Sequence, residues 1–79
     1  MTKLVEVTWH DAWYDAEEHS ELNSRDHAKP AEVVSVGYLI VDDEAGVMLA
    51  RNYHPTHDTY QHRYFIPIGM VVHMRTILE

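Results

Sequence analysis

The alternation of apolar and polar residues along the chain predicts strands first. In residues 3–9, Val5, Val7 and Trp9 fall on one side and Glu6 and Thr8 on the other, the period of a half-buried strand. Residues 32–42 carry the strongest pattern. Val33, Ser35, Gly37, Leu39 and Val41 form one face and Val34, Val36, Tyr38 and Ile40 the other. Both faces are largely apolar, as expected of a strand buried on both sides or lying at a subunit contact. Gly37 marks a place where that strand bends. The run Asp42-Asp-Glu-Ala-Gly46 has turn composition, with Gly46 able to take positive φ, and residues 47–52 read as the returning strand of a hairpin. Residues 63–66 form a short strand ended by Pro67, and residues 70–78 a last one.

Two stretches lack strand periodicity. Asp15-Ala-Glu-Glu18 has the spacing of a helix start, an Asp cap with Glu three residues on, and predicts a short, frayed helix. Residues 53–62 are polar, aromatic and rich in His, and read as a loop. Five strands and one short N-terminal helix in 79 residues predict one mainly β domain spanning residues 1–79. Five antiparallel strands in so short a chain close most economically into a small five-stranded barrel.

Composition narrows the chemistry. The chain has no Cys, which excludes disulfides, thiolate metal sites and thiol nucleophiles. Thirteen acidic residues stand against six basic ones, for a formal charge of −7, so duplex DNA is a poor partner. The acid is concentrated at one end: residues 1–32 hold eight carboxylates and three basic residues. Residues 51–79 carry Arg51, Arg63 and Arg75 against Asp58 and Glu79 only. Seven His make the net charge sensitive to pH near neutrality. No apolar run is long enough to cross a membrane as a helix, and residues 1–9 lack the features of a signal peptide. The expected location is the cytoplasm, with no membrane partner.

Three segments carry a resemblance. Trp9-His-Asp-Ala12, Ser35-Val-Gly-Tyr-Leu39 and Ile66-Pro-Ile-Gly-Met70, in that order, resemble the segments of a family of small phage-encoded proteins. The resemblance spans nearly the whole chain apart from residues 53–62, and it implies a viral origin, hence a bacterial host cytoplasm, without implying an activity. Gly37, Leu39, the Asp42-Asp43 pair and residues 47–49 are also similar to the first signature of Sm-like barrels, which implies a tendency to form rings. Pro67-Ile-Gly69 stands where those barrels carry RNA-binding residues, so RNA binding is not carried over.

Four constellations bear on chemistry. Arg51, Arg63 and Arg75 with Tyr53, Tyr60 and Tyr64 form a candidate nucleotide site, Arg holding phosphate as a fork and Tyr stacking on a base. The plainer reading is Arg paired with the excess carboxylates and Tyr packed at a barrel rim. Trp9, Asp11 and Trp13 with Glu17, Glu18 and Glu21 form a candidate protein-binding surface, against which stands a core Trp and a solvated acidic helix face. His54, His57 and His62 are weak candidate metal ligands, with solvated loop histidines the simpler alternative. The His-x-Thr repeats at His54 and His57 lie too close together to flank a phosphate from opposite sides.

No phosphate-cradling loop, metalloprotease or nucleophile-elbow motif is present, so the expectation is a protein that is not an enzyme and uses no cofactor. Its apolar strand at residues 33–41 leads to the expectation of a homo-oligomer. The function so expected is stoichiometric binding of a small nucleotide at a subunit interface to counter a host antiviral process. The alternatives are inhibition of a host protein through the acidic segment, and a minor structural role in the phage particle.

Overall fold

The computed structural model describes residues 2–14 and 16–79. Its elements run β1 (Lys3–Asp11), α1 (Glu21–Asp26), β2 (Ala31–Asp43), β3 (Gly46–His54), β4 (Thr59–Pro67), a 3₁₀ turn (Ile68–Met70) and β5 (Val71–Leu78). The five strands form one antiparallel sheet in the order β4-β3-β2-β1-β5. The mainly β class, the five strands and the single short helix are as expected. β4 and β5 remain the two edges of an open sheet, so the barrel description holds only approximately.

The alternating residues of β1 meet their partners on a single inner face. Val5 stands opposite Gly37 and Thr76, Val7 opposite Ser35 and Met74, and Trp9 opposite Val33 and Val71. Across the sheet, Leu39 faces Leu49 and Val47 faces Ile66. Val5, Val7, Val47, Leu49 and Ile66 are buried together, with Trp9, Leu39, Val71 and Met74 packed around them. Trp9 is therefore largely a core side chain, and its indole N–H donates to Ser35 Oγ at 3.0 Å. That bond satisfies the one polar atom that packing would otherwise strand.

Gly37 and Gly46 shape the sheet. A Cβ on Gly37 would lie 2.9 Å from the Ala50 carbonyl oxygen and 3.1 Å from Leu49 Cβ, so the missing side chain admits β3 against β2. Gly46 holds φ at 151° in the turn between the same strands. There Asp43 Oδ1 accepts from Ala45 N–H at 2.9 Å, the local bond that favours Asp before a turn. Ala45 also accepts from Ile68 N–H at 3.0 Å, tying this turn to the 3₁₀ segment.

β2 and β3 pair only between Tyr38–Ala50 and Asp43–Gly46, with an irregularity between Leu39 and Val41. Beyond Ala50 the end of β3 pairs with β4 alone, while the first half of β2 pairs with β1 alone. The molecule is accordingly elongated, with extents of 55 × 21 × 21 Å. Large apolar side chains stay exposed along it, among them Val34, Val36, Phe65, Val72 and Leu78.

Two expectations need correction. The stretch 53–62 is not a loop: β3 runs to His54 and β4 begins at Thr59, leaving only the turn at residues 55–58. Of the expected helix start at Asp15-Ala-Glu-Glu18, Asp15 lies outside the described residues and residues 16–18 are not helical. The helix begins after Ser20, whose Oγ accepts from Asn23 N–H at 3.2 Å, and Glu21 pairs with Arg25 one turn on at 2.9 Å.

Candidate functional site

The long β3–β4 hairpin gathers most of the expected ligand-binding residues. Its ladder pairs Leu49 with Tyr64, Ala50 with Arg63, Asn52 with Gln61 and Tyr53 with Tyr60. Arg51 and Arg63 thus stand on adjacent strands one position out of register, both exposed. His62, between Arg63 and Gln61, holds φ at 58°, a left-handed conformation uncommon in a strand.

An aromatic cluster lies one step farther along. The Tyr53 and Tyr60 rings are 5.1 Å apart, and Tyr38 from β2 is 6.1 Å from Tyr53. Both separations suit tilted aromatic packing. The Tyr53 hydroxyl donates to Asp58 Oδ1 at 2.9 Å. That bond to a carboxylate raises the phenol above its ordinary ionisation range, with a partial offset from a hydrogen bond with Thr2. Asp58 itself has φ 53°, a conformation Asp tolerates better than most residues. Asn52 Nδ2 donates to Gln61 Oε1 at 3.2 Å, so polar cross-strand pairs hold the hairpin where no core reaches it.

The cations divide into engaged and available ones. Lys3 lies 3.8 Å from Glu79, Arg25 2.9 Å from Glu21, and Arg75 3.0 Å from Glu6. Arg51 and Arg63 form no ion pair among the described residues, although the chain carries twice as many acidic as basic side chains. The only carboxylate of residues 51–62 is Asp58, which already accepts from Tyr53. Arg51 and Arg63 are thus two exposed arginines on one hairpin without carboxylate partners among the described residues, near Tyr53, Tyr60 and Tyr64 in sequence.

Arg75 does not join them. It sits on β5, the edge opposite β4, and grips Glu6 with two bonds of 3.0 and 3.2 Å. The Arg75 guanidinium holds the Glu6 carboxyl below its usual range, and Glu6 in turn raises Arg75. Tyr64 shares β4 with Arg63 but stands opposite Leu49, half exposed. The histidines do not converge either: no three His, Asp or Glu side chains among the described residues are placed to hold a metal ion. His54 Nε2 instead faces Gln61 Oε1 at 3.4 Å.

The residues read as a protein-binding surface are likewise separated. Trp9 packs against the core, Asp11 ends β1, and Glu21 is paired with Arg25. Glu18 is exposed. Trp13 and Glu17 line a groove of about 700 Å³ together with His19, His27, Lys29 and Pro30. Sequence reasoning missed His19, His27 and Lys29, which are scattered between β1 and β2 and share no motif.

No family model, curated protein or solved structure matches the chain. No helix among the described residues is long and apolar enough to cross a membrane.

Proposed function

We propose that this is a non-enzymatic binding protein that captures a small nucleotide on the β3–β4 hairpin, with Arg51 and Arg63 on phosphate and the Tyr53–Tyr60 pair beside the base. The observation that carries the reading is the isolation of Arg51 and Arg63 from carboxylates in a chain of charge −7. Capture is stoichiometric and breaks no bond. Arg75, committed to Glu6, drops out of the binding set, and Tyr64 remains as a flanking residue.

The capturing species is a homo-oligomer. β4 and β5 are both free edges, and unpaired edges template pairing with another chain. Phe65 on β4 and Val72, Ile77 and Leu78 on β5 leave apolar surface there uncovered. A β4 edge laid on the β5 edge of the next copy is a heterologous contact that closes into a ring when the rotation permits. The resemblance to small phage-encoded proteins sets this capture in the cytoplasm of an infected bacterium, where it withdraws an antiviral signal.

Calorimetric titration with a panel of mono- and dinucleotides tests the proposal. At least one nucleotide should bind to the wild type, and the Arg51→Ala/Arg63→Ala variant should lose that binding while Arg75→Ala keeps it. Equal binding by the double variant would remove the hairpin from the account.

A further inference from the structure

The chain between β1 and β2 folds back on itself and closes the groove described above, well apart in sequence from the hairpin. Across it the Trp13 indole N–H donates to the Lys29 carbonyl at 2.5 Å. That bond fixes the indole while leaving the residue 51 % exposed, so a large aromatic surface is held open at the groove wall beside Pro30. A groove of about 700 Å³ falls within the range of roughly 300–1,000 Å³ typical of small-molecule sites.

The charge lining the groove is the second observation. Residues 1–32 hold eight carboxylates, yet among the described residues only Glu17 lines this groove. Lining it as well are the Lys29 ammonium and the His27 imidazole, both able to donate to an anion. A rigid indole face suits a planar ring, through stacking that tolerates many ring types. Lys29 with the His27 imidazole suits one compact anionic group carried by that ring.

We infer that this groove is a second binding site, for a small planar aromatic anion, with its ring on Trp13 and its anionic group on Lys29 and His27. The site is independent of the hairpin and does not rest on the capture proposed there. It also accounts for Trp13 standing exposed in a fixed position, which a core role does not.

Adenosine 5′-monophosphate, adenosine and inorganic phosphate serve as probes, followed by NMR on the full chain at residue resolution. The monophosphate should shift the Trp13 indole N–H and the His27 ring signals, and do so more strongly than adenosine or phosphate alone. The Trp9 indole, bonded to Ser35, should not move. Trp13→Ala should weaken binding about fivefold or more, the scale of one base–aromatic stack. Lys29→Gln keeps the backbone carbonyl that Trp13 needs, and should weaken the monophosphate while leaving adenosine unchanged. Arg51→Ala/Arg63→Ala should leave every groove signal as in the wild type. The inference is overturned if millimolar monophosphate moves none of these signals, if adenosine or phosphate alone moves them equally, or if the Arg double variant abolishes the shifts.

Discussion

Adding one methyl group at Gly46 gives a sharp check on how β3 enters the sheet. With φ at 151° this backbone suits Gly and few other residues, and a Cβ would lie 2.2 Å from the Ile66 carbonyl oxygen and 3.0 Å from Pro67 Cα. Both neighbours are backbone atoms of β4, paired with Val47 and Gly46 themselves, so relief requires the ladder to shift. Backbone strain of this kind costs roughly 1–3 kcal/mol. Forced overpacking adds roughly 1–3 kcal/mol. Gly46→Ala should therefore lose on the order of 2–6 kcal/mol, against about 4–12 kcal/mol of total stability for a chain this size. Gly37→Ala, meeting the Ala50 oxygen at 2.9 Å with no special φ, should lose less, about 1–3 kcal/mol. Gly69→Ala has open space around it and should be neutral or stabilise by up to about 1 kcal/mol. Urea unfolding followed by circular dichroism, at one protomer concentration so that association does not enter, measures all three. A Gly46→Ala variant within about 0.5 kcal/mol of wild type would refute both the turn geometry and the close approach of β4.

Three further outcomes follow from contacts already described. Glu6 titrates below its ordinary range because of Arg75, so this pair's contribution is present above the unfolded carboxyl pKa and fades as pH falls through the lowered one. Glu6→Gln should flatten that part of the acid-unfolding profile, and an unchanged profile would dismiss the pair. Tyr53 is raised above 10.0 by Asp58, so stability linked to it is complete below the unfolded phenol pKa and is lost as pH climbs through the folded one. An alkaline absorbance titration should show a late-ionising phenol that Tyr53→Phe lacks; if the variant's curve keeps it, the Asp58 bond is misassigned. Ser35→Ala leaves the half-buried Trp9 N–H without its acceptor and should lose about 1 kcal/mol in urea, whereas no loss would mean that water replaces the hydroxyl.

The strands were legible where one face is buried. Val5, Val7 and Trp9 alternate because only their side of β1 meets the core, and β2 alternates in the same way over residues 31–36. The hairpin tip was not legible because nothing buries it. Tyr53–Tyr60 and Asn52–Gln61 hold it through cross-strand side-chain contacts, which leave no hydrophobic period in residues 53–62. The helix start was displaced because Asp15-Ala-Glu-Glu18 imitates a capping pattern, while the Ser20 cap that acts lacks the matching Glu three residues later. Arg51 and Arg63 were singled out by local charge balance and their neighbouring tyrosines, whereas the commitment of Arg75 to Glu6 spans 69 positions and depends on the β1–β5 register. The groove residues were hidden for the same reason: His19, His27 and Lys29 come together where Trp13 bonds back to the Lys29 carbonyl.

Native mass spectrometry of the protein purified from cells, wild type beside Arg51→Ala/Arg63→Ala, tests capture by an oligomer most directly. The account expects an oligomer carrying a nucleotide-sized mass of a few hundred daltons on each site, absent from the double variant. A bare monomer, or an added mass that survives loss of both arginines, would contradict it.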